Sequence, residues 1–118
     1  MSSESFAPVT APLHGVVRVP GSKSVSNRAL VCAALAPGES RLTGVASGDD
    51  TTRMVAGLQQ LGADIEVGGD TVQVLRAIER ASREAVMIDA GLAGTTSRFL
   101  SAVAALRVGA STITGDAG

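Results

Sequence analysis

The sequence predicts an α/β domain assembled from β-α-β-α-β-β units, one complete and about half of a second. Three observations predict it. Short stretches of period-two hydrophobicity alternate with longer stretches of helical periodicity. A set of residues recurs at a spacing of 70 positions. The apolar content is Ala, Val and Leu, with Phe6 and Phe99 the only aromatic residues, as suits close helix–sheet packing rather than an aromatic ligand cage. A chain of 118 residues is one domain or part of one and is long enough to bury a core. Its formal net charge of −1 argues against a nucleic-acid surface or a polybasic membrane patch.

The elements follow in order. Val16–Val19 predicts a short strand closed by Pro20-Gly21, and Ser24–Ala36 predicts a helix stopped at Pro37-Gly38. Ser40–Val45 predicts a strand. Asp49 and Asp50 offer acidic caps for a second helix ending at Leu61, with Met54, Val55, Leu58 and Leu61 on one face and Gly62 as terminator. Ile65 and Val67, then Val72 and Val74, alternate with polar residues around Gly68-Gly69-Asp70, the pattern of a hairpin. Residues 76–84 form a charged connector that favours no element. Ala85–Ala90 predicts a buried strand, Thr95–Leu106 a third helix after a Gly-rich loop, and Ser111–Thr114 a last strand.

The repeat runs through the second half. At a spacing of 70, Gly21 matches Gly91, Arg28 matches Arg98 and Leu30 matches Leu100; after one inserted residue, Ser40 matches Ser111 and Thr43-Gly44 matches Thr114-Gly115. Chance supplies Gly and Ala matches readily in this composition, but an arginine and a strand-end Thr-Gly in register much less so. On this pattern the chain is expected to stop in mid-fold.

Lys23 is the sole lysine, and it stands in Pro20-Gly21-Ser22-Lys23-Ser24 with Arg28 one helical turn on. A strand that ends at a glycine and leads directly into a helix presents backbone N–H groups and a positive helix end to an anion. Lys23 would add a point charge, Ser24 a hydroxyl donor and Arg28 a planar fork suited to phosphate or carboxylate. The plainer reading is a capping serine with solvated charges around it. This is not a Walker A loop, whose glycine spacing is absent. Gly91-Leu92-Ala93-Gly94-Thr95 repeats the arrangement with Arg98 in the place of Arg28, so two anionic groups are the ligands to expect; a ligand-free tight turn is the plainer reading for Gly94. Asp49 and Asp50 either cap the second helix or orient a basic group or a substrate hydroxyl. Cys32, the single cysteine, lies in an apolar helical run and reads as a buried, inert thiol; it permits no internal disulfide, which fits a reducing cytosol. His14 has no visible carboxylate or cysteine partner and takes no role. No His, Cys, Asp or Glu spacing predicts a metal site. The first ten residues show neither a signal core nor transit character, and no run reaches membrane-spanning length.

Residues 20–30 (Pro-Gly-Ser-Lys-Ser-Val-Ser-Asn-Arg-Ala-Leu), the Gly48-Asp49-Asp50-Thr51 segment with Met54, and Gly91-Leu92-Ala93-Gly94-Thr95 with Arg98 resemble the opening third of the 5-enolpyruvylshikimate-3-phosphate synthase family. The likeness extends from about Leu13 to the end, with the motifs in order. The related UDP-N-acetylglucosamine enolpyruvyl transferases carry a Lys-Asn pair in the first loop and a catalytic cysteine in a mobile loop. Here Ser24 follows Lys23 and Cys32 is in mid-helix.

The resemblance implies an inside-out enolpyruvyl transferase-like domain, with residues 20–118 as part of it and residues 1–19 approaching a second domain. It implies transfer of the enolpyruvyl group of phosphoenolpyruvate to the 5-hydroxyl of shikimate 3-phosphate, releasing phosphate, with no metal or organic cofactor. By resemblance Lys23 contacts both substrates and assists proton transfer, Ser24 and Arg28 hold shikimate 3-phosphate, and the Gly94 backbone approaches phosphoenolpyruvate in the space for which glyphosate competes. Asp50 and Arg98 would support them. Most members have Asn where Leu92 stands, which removes a side-chain hydrogen bond but leaves the glycine geometry. A cytoplasmic, monomeric complete enzyme is implied, free of nucleic acid and membrane. The alternative is a non-catalytic remnant or anion-binding module.

Overall fold

The computed structural model describes residues 3–117, so Met1, Ser2 and Gly118, the outermost positions of the expected 1–19 and 20–118 segments, lie outside the described residues. Eight elements follow one another: α1 (Lys23–Leu35), β1 (Ser40–Leu42), α2 (Asp49–Gln60), β2 (Asp64–Gly68), β3 (Thr71–Arg76), β4 (Val86–Asp89), α3 (Gly94–Ala104) and β5 (Ser111–Thr114). The mixed helix and strand composition agrees with the predicted class.

α1 begins where Ser22 accepts the Val25 amide on its hydroxyl at 3.4 Å, and the chain turns extended at Ala36, ahead of Pro37. The helix buries Leu30 and Ala34 completely and Val31 and Ala33 nearly so. In α2, Met54, Leu58 and the flanking Leu61 are fully buried, as the periodicity predicts. β1, β3 and β2 form an antiparallel sheet in that order, with Ser40 opposite Val74 and Val67 opposite Val72. Val72 and Val74 put the inner face of this sheet into the core beside Leu30 and Leu58. β4 and β5 pair in parallel, Ile88 opposite Ile113, with α3 as the connection between them. Thus one three-stranded and one two-stranded sheet share a single helical core.

Arg76 of the charged connector ends β3, and the residues after it hold neither a helix nor a strand, but they are anchored. The Ile78 amide donates to the Ala34 carbonyl at 2.9 Å and the Glu79 amide to Leu61 at 3.0 Å, tying them to the C-terminal ends of α1 and α2. Ile78 enters the core. Further on, Arg107 is nine-tenths buried and donates to the Glu84 carbonyl and the Ser111 hydroxyl, both at 3.3 Å.

Several expectations need correction. Residues 16–19 form no strand: Val16 is 98% exposed, and the segment has no regular secondary structure. An isolated strand cannot pair its backbone groups, and among the described residues no strand pairs with this segment. Cys32 is exposed, not buried. Helical geometry turns residues 30, 31, 33 and 34 inward and sends Cys32 outward along the line of Val25 and Arg28. The β4 strand is buried only at Ile88, because Met87 and Asp89 face outward. β1 stops at Leu42 rather than Val45, and α3 stops at Ala104 rather than Leu106.

The packing predicts a sharp contrast. Leu58→Ala should cost about 2–5 kcal/mol of unfolding free energy, read from denaturant midpoints, whereas Val67→Ala, on an exposed stretch of β2, should stay within about 1 kcal/mol. Equal losses would contradict the burial pattern.

Candidate functional site

The site forms where the N-terminal ends of α1, α2 and α3 meet. Lys23 is the first residue of α1, and its Nζ lies 2.8 Å from Oδ2 of Asp50 in the first turn of α2. The backbone carbonyl of Asp50 in turn accepts the Thr96 hydroxyl at 3.0 Å, and Thr96 is fully buried in the first turn of α3. Asp50 therefore joins all three helices. Arg28, in the second turn of α1, donates from Nη1 to the Ser24 carbonyl at 2.9 Å, and its guanidinium lies 5.6 Å from the centre of the Phe99 ring on α3.

A second knot secures the loop before α3. Arg53 of α2 donates from Nε to Asp49 at 2.9 Å and from Nη1 to Oδ2 of Asp89 at 2.8 Å. Asp89 ends β4, and its other oxygen accepts the Gly91 amide at 2.8 Å. The Gly91 amide, and after it the Arg53 guanidinium, hold the Asp89 carboxyl below its ordinary range. Hydrogen bonds to Asp49 and then Asp89 raise Arg53 in the same way. A lowered carboxylate pKa favours the folded form above the ordinary range, and that preference is lost as pH falls through the lowered value. The Asp89–Gly91 contact thus persists to more acidic conditions than an unperturbed aspartate would allow.

Glycines bring the strand ends against the helix mouths. A Cβ on Gly21 would overlap the Gly44 carbonyl oxygen, and a Cβ on Gly115 would sit 2.7 Å from the Gly91 oxygen. These are glycines matched in the repeat, Gly21 with Gly91 at a spacing of 70 and Gly44 with Gly115 after the one inserted residue. Ser26 and Thr96 share the spacing of 70, and both use a buried hydroxyl to join their helix to a neighbouring backbone; Ser26 accepts the Ala46 amide at 2.8 Å.

The structure pairs Lys23 with Asp50 across α1 and α2, and Arg28 with the Ser24 carbonyl within α1; no hydrogen bond or ion pair joins these two contacts among the described residues. Gly94 opens α3 at the edge of a cleft of about 360 Å³ lined by Gly91, Leu92, Ser97, Thr114 and Asp116. A Cβ on Gly94 would meet nothing within 4 Å. Arg98 is exposed and makes no ion pair or side-chain hydrogen bond among the described residues. Of the two readings of the aspartates, orientation of basic groups holds: α2 has Gly48 as its cap residue, without a side-chain capping bond, while Asp49 takes Arg53 and Asp50 takes Lys23. The serine that caps α1 is Ser22.

Sequence reasoning missed Arg53, Asp89 and Asn27. The four-residue spacing of Asp49 and Arg53 was a usable signal, and an aspartate two residues before a glycine invites a side-chain-to-backbone turn. Asn27 is fully buried on α1, and neither of its amide atoms has a hydrogen-bond partner among the described residues; only packing reveals that. No group of acidic, His and Cys side chains among the described residues is arranged to hold a metal, and no helix of the described chain is long and apolar enough to cross a membrane.

Residues 8–118 match the family model of EPSP synthase (3-phosphoshikimate 1-carboxyvinyltransferase). A 3-phosphoshikimate 1-carboxyvinyltransferase of Rhizobium leguminosarum bv. trifolii is 43% identical over 112 residues, covering 95% of this chain and 27% of that protein. One from Pseudomonas savastanoi pv. phaseolicola is 41% identical over 111 residues, covering 92% and 26%. The solved structure of EPSP synthase from Acinetobacter baumannii aligns at a TM-score of 0.71 and 31% identity, covering 87% of this chain and 24% of that one. The chain spans about a quarter of the length of the curated relatives it matches.

The Gly21 contact can be tested directly. Gly21→Ala should destabilise the chain by about 1–3 kcal/mol through overlap with backbone that cannot yield, while Gly15→Ala, in open space, should be within about 0.5 kcal/mol of the parent. Thermal melts of the two variants side by side provide the measurement.

Proposed function

The chain belongs to the EPSP synthase family, and from that premise we propose that it forms part of the catalytic cleft of an enolpyruvyl transferase. In this reading the longer protein joins phosphoenolpyruvate to the 5-hydroxyl of shikimate 3-phosphate and releases phosphate. The observation that carries it is the meeting of three helix N-termini around the Lys23–Asp50 pair, beside a glycine-edged cleft. Both substrates are anions, and helix ends with added cations are suited to hold them.

Lys23 stands between the two groups of ligands. Its ammonium, held by Asp50 in the free chain, would exchange that partner for substrate oxygens and assist proton transfer as the hydroxyl adds to the enol carbon. Ser24 and Arg28 would take shikimate 3-phosphate; the contact of Arg28 with Phe99 holds the guanidinium close to α3. The Gly94 backbone, unobstructed by a side chain, would receive phosphoenolpyruvate, and glyphosate would compete there. Arg98 has its charge unengaged by any acidic side chain among the described residues and would support the same anion. Leu92, 70% exposed at the cleft, contributes no hydrogen bond where relatives commonly carry Asn. The reaction proceeds by addition and then elimination through a tetrahedral intermediate. The complete protein is read as a cytoplasmic monomer, and sedimentation of the complete chain would check its oligomeric state.

Two variants in a chain extended to the length of its relatives test this reading. Lys23→Ala should lower turnover by about a hundredfold or more, in the range expected for losing a preorganised charge at the reacting centre; near-normal phosphate release would refute the assignment. Gly94→Ala should fold normally, since its methyl meets no protein atom, yet should weaken both phosphoenolpyruvate and glyphosate. Unchanged affinities for both would remove the glycine loop from the site.

A further inference from the structure

Arg53, which belongs to neither substrate group, makes two of the three ion pairs found among the described residues. It reaches from α2 to Asp89 at the end of β4, and Asp89 hands the contact on to the Gly91 amide. We propose that Arg53 is a positioning residue that sets the backbone of the Gly91–Gly94 loop, acting through Asp89 rather than on a ligand.

Four features of the geometry support it. First, both arms of the guanidinium are engaged: Nε on Asp49 within its own helix, at 2.9 Å, and Nη1 on Asp89, at 2.8 Å. The contact to Asp49 fixes the side chain on the α2 surface, so that the second arm reaches Asp89 in one geometry. Second, Asp89 uses its two oxygens separately, one for Arg53 and one for Gly91, so its rotamer is determined from both sides. Third, Gly91 has φ of +53°, and a Cβ there would overlap the Arg53 guanidinium. The loop and the arginine are thus in direct contact, and only glycine combines that backbone angle with that approach. Fourth, the Gly91 carbonyl accepts the Asp116 amide at 3.2 Å, which secures the other side of the turn to the chain beyond β5. Among the described residues the charged side chain facing Asp89 is Arg53 of α2, with Asp49 behind it; from the β5 side Asp116 joins the turn through its backbone only. The identity of the loop's ligand as phosphoenolpyruvate rests on the reading in the preceding section; the clamp itself does not.

The test uses the ¹⁵N-labelled 118-residue chain. The Gly91 amide, bonded to the Asp89 carboxylate, should report its titration, with a midpoint below the ordinary aspartate value of about 4. In Arg53→Gln that midpoint should rise part of the way back, because the Gly91 bond remains, and the amides of Gly91 through Gly94 should shift while those of α1 stay in place. Arg53→Lys should restore the midpoint in part, since its charge returns without the two-armed fork. A Gly91 midpoint that is the same in the parent and Arg53→Gln would overturn the proposal. If Arg53→Gln does not fold, Asp89→Asn decides instead: the Gly91 titration should vanish and the loop amides should move, and unmoved loop amides would overturn it.

In the chain extended to the length of its relatives, Arg53→Gln should raise the KM for phosphoenolpyruvate by about tenfold or more, as expected for a displaced binding loop, and leave that for shikimate 3-phosphate within about twofold. A shifted Gly91 midpoint with unchanged phosphoenolpyruvate constants would keep the clamp and overturn the ligand reading of the loop.

Discussion

The N-terminal ends of three helices meet in one place, and the rest of the molecule accommodates that constraint. Each end carries roughly half a positive charge, so bringing them together is unfavourable unless acidic groups answer it. Asp49 and Asp50 in the first turn of α2, and Asp89 at the end of β4, supply the answer. The same aspartates hold Lys23 and Arg53, the cations that such a surface would otherwise repel. The free chain thereby keeps both cations internally paired.

Small residues make the approach possible. Ala33 and Ala34 occupy the inner face of α1, and Gly57 lies where α2 crosses α3, with a would-be Cβ overlapping the Leu100 side chain. Gly21 and Gly115 let strand-end backbone lie directly against the helix mouths. Buried hydroxyls of Ser26 and Thr96 then replace the side-chain volume with directed hydrogen bonds to neighbouring backbone. Dense aliphatic packing and backbone-directed bonds do here what large aromatic anchors do elsewhere.

The helices and the hairpin were legible because each is specified by local rules. The periodicity of Met54, Val55, Leu58 and Leu61 marked the buried face of α2, and Gly69-Asp70 marked the turn between β2 and β3. The Lys23-Ser24-Arg28 cluster was legible too, since its spacing lies within one helix. Val16–Val19 failed because strand formation needs a partner, which no local pattern can report. Cys32 failed because an apolar run around a helix does not disclose which positions meet a neighbour. Arg53 and Asp89 stand 36 positions apart, a separation at which charge complementarity leaves no trace in a single sequence.

The sequence by itself determined the three helices and the β2–β3 hairpin, and it placed a glycine-bearing loop ahead of α1 and of α3, because these depend on contacts within a few residues of one another. Tertiary structure alone decided that Asp50 would hold Lys23 while its carbonyl holds Thr96, that Arg28 would lie over Phe99, and that Arg53 would reach through Asp89 to Gly91. Those pairings arise when the helix ends converge. Convergence is a property of packed surfaces and close glycine contacts, not of any one stretch of chain.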